Sequence, residues 1–358
     1  MRSLLRRAAA QVRTRLESWT LRATLALPPG LLRRIVGHEV WIDGQRLDRE
    51  VQALLRLERL TGAAPVESLP LVEGRARLDS DSAMVGGRQP IGAVADHVIP
   101  GPGGDLAARL YTPHGMSGVA PLLVYFHGGG WIFGSLDSHD AVCRFLAERA
   151  GVRVLAVDYR LAPEHPFPAA VDDAVASYEW VCRHASLVEA DSRRIAVGGD
   201  SAGGNLAAVV AWVARDAGKG PAFQLLLYPA TDLAGRTESR RLFGRGFYLT
   251  DEYIDRAGRS YLTPETAVED PRVSPLHLAD ASGLCPAYVA TAGFDPLRDE
   301  GAAYAHKLAD AGVPVELRRF EGLIHSFVNM VGVGRSCPAA MREVAEALHA
   351  GLAGADGR

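Results

Sequence analysis

Cysteine is scarce in this chain. Four occur among 358 residues, at Cys143, Cys182, Cys285 and Cys337. They form no C-x-x-C pair and show no metal-ligand spacing with histidine, which argues against a disulfide framework and against a bound metal. Reduced, mostly buried thiols in a cytoplasmic protein are expected. No apolar run approaches the roughly 20 residues that a membrane-spanning helix needs. Charge of one sign is also lacking: 39 Lys and Arg face 42 Asp and Glu, a net charge of −3. The chain as a whole therefore does not read as a nucleic-acid binder. There is no internal repeat and no low-complexity linker. What is present is an ordinary globular mixture, 48% hydrophobic and 23% charged. That is ample material for one large core, or one and a half domains.

The charge balance breaks at the N-terminus. Residues 1–34 hold eight arginines and a single acid, Glu17. Leu5, Ala9, Val12, Leu16 and Trp19 can share one helical face. Two readings stand. The segment is a helix packed on the catalytic domain, or a basic amphipathic helix in weak contact with an anionic membrane surface, which would make the protein peripheral to a membrane. A secretory signal is disfavoured because Arg22 and then Pro28-Pro29 break the apolar stretch.

From about residue 94, short β-branched runs alternate with longer stretches of helical period. This is the pattern of an α/β sheet covered by helices on both faces. Strands are expected at 94–99, 106–112, 121–126, 152–157, 193–198, 223–228, 286–291 and 313–320. Helices are expected near 138–150, 168–185, 202–217, 298–311 and 337–352. Only Gly-Pro-Gly-Gly-Asp separates the first two strands, so they should form an antiparallel hairpin, with the later strands parallel. Residues 91–352 thus read as one catalytic domain on a mostly parallel, eight-stranded sheet. Residues 1–90 and an insertion at about 233–280 fall outside the rhythm. Both are expected to be helical material forming a cap over the C-terminal edge of the sheet.

The segment Arg193 to Leu206 reads strand, sharp turn, helix. Gly199, Ser201 and Gly203 form G-x-S-x-G at the turn. A serine on a tight strand-to-helix turn needs unhindered neighbours two residues before and after it. The turn lifts the hydroxyl clear of the sheet, and the helix points its N-terminus at the site. The motif alone is weak; its place between a strand and a helix gives it weight.

A second signal lies upstream. The strand ending at Phe126 runs into His127-Gly128-Gly129-Gly130-Trp131. Ester hydrolysis passes through a tetrahedral oxyanion, and backbone amides stabilise it only where the chain approaches closely. Gly128 and Gly129 are the candidate donors, with Ala202 as the third. No lysine follows as a phosphate loop would require. His127 reads as a loop-ordering residue. Trp131 is expected to line the acyl pocket or simply to pack.

The partners of a serine nucleophile on this fold follow it in the order acid, then histidine. Asp295 leaves the strand 286–291 and precedes Pro296, which makes it the best acid; Asp299 is the runner-up, one helical turn on. His325 is the histidine between the last strand and the last helix. It would take the Ser201 proton and pass it to the leaving alkoxide, while Asp295 holds its tautomer.

With these residues in hand, the chain resembles the hormone-sensitive-lipase-like family of α/β-hydrolase esterases. The match rests on HGGGW at 127–131, DYRLAPEHPFPA at 158–169, GDSAGGNL at 199–206, YPATD at 228–232, DPLRDEG at 295–301 and the His325 segment. It is to the subgroup with an aspartate before the nucleophile, here Asp200, which is taken with Trp131 as substrate-binding. The resemblance implies Ser201, Asp295 and His325 as a triad, Gly128, Gly129 and Ala202 as oxyanion donors, and a helical cap. It further implies hydrolysis of short- to medium-chain acyl esters without a cofactor. Asp158, Arg160 and Glu164 would brace the loop under the site. Amide, lactone or N-formyl hydrolysis would use the same residues. A non-catalytic ligand-binding receptor is the reading from another class, and a homodimer through the edge strand near 313–320 stays open.

Overall fold

The computed structural model describes residues 20–354. The apolar face expected from Leu5 to Trp19 lies outside them. Among the described residues, no helix is long and apolar enough to cross a membrane.

Eight strands build the main sheet: β1 (Ala93–Gly101), β2 (Gly104–Thr112), β3 (Ala120–Phe126), β4 (Arg153–Val157), β5 (Ala190–Asp200), β6 (Phe223–Leu227), β7 (Ala287–Phe294) and β8 (Val315–Ile324). Their spatial order is β8-β7-β6-β5-β3-β4-β2-β1. β1 and β2 form the expected antiparallel hairpin, and β2 also runs antiparallel to β4. From β4 to β8 every pairing is parallel. The reversal of order between β3 and β5 opens a crevice at their carboxyl ends, where open α/β sheets bind ligands.

β3, β4, β6 and β7 are buried on both faces, so their side chains alternate between two cores. In β3, Leu122, Val124 and Phe126 enter one core, and Leu123 and Tyr125 the other. The first core is closed by α5 (Ala169–Arg183), α6 (Ala202–Asp216) and α9 (Arg298–Asp310). The second is closed by α4 (Asp140–Ala150) and α10 (Ser336–Ala353).

Three helices precede the sheet: α1 (Pro29–Val36), α2 (Arg49–Thr61) and α3 (Leu71–Gly86). Asp48 caps α2 by accepting from the Glu50 and Val51 amides at 2.8 and 3.2 Å. Glu50 in turn accepts from the amides of Arg335 and Ser336 at 2.6 and 2.9 Å, tying α2 to the start of α10. Leu21, Leu25, Leu32 and Val36 join the second core, and Arg22 donates to the Gly332 and Met84 carbonyls at 2.7 and 3.0 Å. The described part of the N-terminal segment is therefore packed on the sheet domain. Leu31 and Ile35 remain exposed.

Between β6 and β7 the chain forms α7 (Glu238–Phe243) and α8 (Asp251–Tyr261), capped by the hydroxyls of Thr237 and Thr250. Arg240 joins the two helices through Asp251 at 2.8 Å and Asp255 at 2.5 Å. Beyond Tyr261 the chain is mostly turns. Pro264, Pro271 and Pro275 interrupt any continuing helix there.

Asn205 in α6 anchors this irregular stretch. Its Nδ2 donates to the carbonyls of Ala230 and Val273, each at 2.8 Å, in a fully buried setting. Asn205→Ala strands two buried carbonyls at about 1–3 kcal/mol each. A urea melt should show a loss of about 2–6 kcal/mol; a loss below about 0.5 kcal/mol would mean the carbonyls find other donors.

Candidate active site

β3 lies beside β5 and β7 beside β8, with β6 between the two pairs, and each of the four hands a candidate residue to the same end of the sheet. Phe126 pairs with Gly199, and Ile324 with Phe294. Beyond these ends stand His127, Ser201, Asp295 and His325. The register of β8 on β7 slips between Phe320 and Ile324. Such a bulge re-aims a strand end, and here His325 comes to face Asp295.

Ser201 occupies the turn between β5 and α6 with φ +56°. That conformation is costly for a residue with a side chain and is held only by its surroundings. Its amide donates to Leu227 O at 2.9 Å, and its carbonyl accepts from the Ala230 amide at 3.1 Å. The flanking glycines are sterically required. A Cβ on Gly199 would lie 2.3 Å from Phe126 O, and one on Gly203 1.9 Å from the same oxygen.

His325 Nε2 lies 3.0 Å from Ser201 Oγ, and His325 Nδ1 lies 2.8 Å from Asp295 Oδ2. The second Asp295 oxygen accepts from the Leu297 amide at 2.8 Å. The Tyr228 ring packs 4.4 Å from the His325 ring. Asp299, the alternative acid, is engaged elsewhere, by the Ser239 amide at 2.7 Å and Arg298 Nε at 2.8 Å.

The glycine loop departs from the sequence expectation at one position. The Gly128 amide donates to Asp200 Oδ1 at 2.9 Å, so it is already spent and does not serve as an oxyanion donor. The amides of Gly129, Gly130 and Ala202 have no protein acceptor among the described residues. Gly130 was missed because three consecutive glycines look alike in sequence; only the position of Asp200 tells which amide is occupied. His127 orders the loop, as expected. Its Nδ1 meets Gly128 O at 2.8 Å, its ring stacks on Tyr159 at 4.4 Å, and Tyr159 Oη donates to His127 O at 2.7 Å. Burial, reinforced by His139, pushes its pKa down to about 3, so the ring is neutral.

Of the two residues expected at the pocket, Trp131 takes the packing role and Asp200 lines the cavity. Trp131 is not among the residues lining the cavity; it is buried, with its indole stacked on Tyr261 of α8 at 4.4 Å and 3°. Successive positive φ values at Gly130 and Trp131 turn the side chain into that contact. Asp200 reaches the cavity wall, but its carboxylate is taken up by protein donors rather than left for substrate. Tyr125 Oη donates to it at 2.7 Å, and His139 Nε2 lies 3.2 Å away. Burial alone would raise this carboxyl; the charge of His139 and the bonds from His139, Tyr125 and Gly128 outweigh it and hold it below the usual range. Of the expected bracing residues, Arg160 bonds Asp173 through Nη2 and Nε at 2.7 and 2.8 Å, while Glu164 accepts from Arg75 of α3 at 2.8 and 2.9 Å.

Ser201 and His325 sit in the wall of a cavity of about 460 Å³. The rest of that wall comes largely from two stretches outside the sheet. Residues 55–82 contribute Leu55, Glu58, Val66 and Leu78, and residues 246–253 contribute Tyr248, Leu249 and Tyr253. Burial, with Asp81 close by, raises the Glu58 carboxyl above its ordinary range.

Behind the site, Glu300 is buried and accepts from the Thr231 and Asp232 amides at 2.8 and 3.2 Å. Burial pushes its pKa up to about 8 from a usual 4.5, against the effect of those amides. Between those values the folded protein keeps a proton that the unfolded chain releases, so this group lowers stability as pH rises. Glu300→Gln can accept from the same amides without ionising. Its stability relative to wild type should therefore improve from about pH 5 to about pH 8 in paired urea melts. An unchanged difference would show that Glu300 is not held neutral.

Residues 123–329 match the family described as alpha/beta hydrolase fold. The chain is 47% identical over 327 residues to the carboxylic ester hydrolase LipN of Mycobacterium tuberculosis, covering 88% of this chain and 86% of that protein. It is 38% identical to an ethyl acetate hydrolase of Pseudomonas putida, over 79% of this chain and 91% of the other. Among solved structures, an ester-hydrolase from the metagenome of Lake Arreo superposes with a TM-score of 0.83 at 40% identity, over 86% of this chain and 99% of that one. The chain belongs to the hormone-sensitive-lipase-like branch of the α/β-hydrolase fold family.

Proposed function

We propose that this chain is a serine carboxylesterase acting on short- to medium-chain acyl esters, with Ser201, His325 and Asp295 as its triad. The observation that carries the reading is the His325 ring, within 3.0 Å of Ser201 Oγ on one side and 2.8 Å of Asp295 on the other, at the wall of a single cavity. In the first half-reaction Ser201 Oγ bonds to the ester carbonyl carbon while its proton passes to His325 Nε2. The tetrahedral oxyanion is met by the amides of Gly129, Gly130 and Ala202, which lack other acceptors. Collapse breaks the bond to the alkoxide, which takes the proton from His325. In the second half-reaction water gives a proton to His325 and attacks the Ser201 acyl carbon; the bond to Oγ breaks, Oγ takes that proton back from His325, and the carboxylic acid is released. Asp295 keeps Nδ1 protonated and stabilises the imidazolium.

Residues 55–82 and 246–253 act as the cap that sets acyl size. A cavity of about 460 Å³ is suited to a small molecule. Leu55, Val66, Leu78 and Leu249 offer it an apolar wall.

Ser201→Ala should lower kcat on p-nitrophenyl butyrate by about 10⁴-fold or more and abolish labelling by a fluorophosphonate probe. Wild-type activity in that variant would sink the proposal. A wild-type protein that neither hydrolyses nor labels would point to a binding protein instead. Across p-nitrophenyl esters from acetate to palmitate, kcat/KM should peak at the short or medium chains. A peak at palmitate would refute the size argument.

A further inference from the structure

The loop that follows β3 leaves the sheet at His127 and returns to regular structure at His139, just ahead of α4. Both of its ends reach one carboxylate. Asp200 accepts from the Gly128 amide at 2.9 Å and meets His139 Nε2 at 3.2 Å. Tyr125, in the strand beneath, completes the set with its hydroxyl at 2.7 Å. Asp200 and His139 are both buried, and Asp200 immediately precedes Ser201 in the chain.

His139 is itself held. Its Nδ1 lies 2.8 Å from Ser138 Oγ. Ser138 and Ser135 interlock through the Ser135 amide to Ser138 Oγ at 2.9 Å and the Ser138 amide to Ser135 Oγ at 3.1 Å. Ser135 Oγ then donates to Asp79 of α3 at 2.7 Å. The ring is thus fixed from one side by a bonded turn, and its other nitrogen is aimed at the carboxylate.

We propose that His139 is a positioning residue for the oxyanion hole. Through Nε2 it fixes Asp200, which in turn fixes the Gly128 amide and with it the register of the free Gly129 and Gly130 amides relative to Ser201. This rests on the reading of Ser201 as an ester-hydrolase nucleophile. Two physical consequences follow from the placement. A carboxylate without its histidine has one anchor fewer, so the glycine loop can drift, and oxyanion donors act only when preorganised. Such a carboxylate also presents an uncompensated charge close to where negative charge develops. Both effects raise the transition state and leave the ground-state complex nearly untouched.

His139→Ala should therefore lower kcat on p-nitrophenyl butyrate by about 10–100-fold, with KM changed by less than about twofold. Affinity for an aryl trifluoromethyl ketone, whose Ser201 adduct carries an oxyanion, should fall by a similar factor. His139→Gln, whose amide can donate to Asp200, should restore part of kcat. A role confined to folding stability would lower the melting temperature without this split. The inference is overturned if the folded His139→Ala protein keeps wild-type kcat, or if kcat and ketone affinity do not fall together. Should His139→Ala fail to fold, Tyr125→Phe decides: it removes another Asp200 donor and should give the same kcat-only loss, and an unchanged kcat there overturns the proposal. Wild-type activity measured alongside separates the two levels. An inactive wild type would condemn the esterase reading, whereas an active wild type with unaffected variants condemns only the role of His139.

Discussion

The carbonyl oxygen of Phe126 lies where the chain can pass it only without side chains: a Cβ on Gly203 would come within 1.9 Å and one on Gly199 within 2.3 Å. This contact between the end of β3 and the turn after β5 allows the two strand ends to stand side by side. It also forces the turn to be tight, which places Ser201 at positive φ with its hydroxyl clear of the sheet. The surroundings sustain that conformation through Leu227 O below and the Ala230 amide beside it. The loop after β3 can then lie directly against the Ser201 turn.

Around that contact, polar groups occupy the crevice in two tiers. The upper one is Ser201, His325 and Asp295, the first two in the cavity wall and Asp295 buried behind them. The lower one is Tyr125, Asp200, His139 and the Gly128 amide, in which a buried carboxylate is held ionised by its donors. A buried charge is tolerable only when its partners are all in place. The lower tier therefore couples the nucleophile turn, the glycine loop and the start of α4 into one unit. Its members come from β3, the glycine loop after it, β5 and the residue before α4, so no single segment could supply it.

Much of the architecture was legible in the chain. The eight strands and five of the seven α-helices after β2 fall close to where periodicity puts them, because the central strands, buried on both faces, read as apolar runs bounded by turn residues. Ser201, Asp295 and His325 were legible because each directly follows a strand in the order this fold requires. Three features were not. Composition says nothing about which glycine amide a neighbouring carboxylate occupies, so the bond from Gly128 to Asp200 is invisible there. Trp131 reads equally as pocket wall or as packing, and the backbone conformation at Gly130 and Trp131 turns the indole onto Tyr261. The three protein donors of Asp200 are distant in sequence or undistinguished there.

The sequence by itself determined the strands of the sheet, the placing of Ser201, Asp295 and His325 each just after a strand, and the glycine-rich turn, because each depends on local periodicity or on neighbours a few residues apart. Only the tertiary structure decided the sheet order, the slip in β8 that turns His325 toward Asp295, the free and the occupied amides, and the cavity wall drawn from residues 55–82 and 246–253. Those features arise where segments far apart in the chain meet. Hydrogen-bond partners and packing contacts at such meetings are set by three-dimensional proximity, which no local pattern encodes.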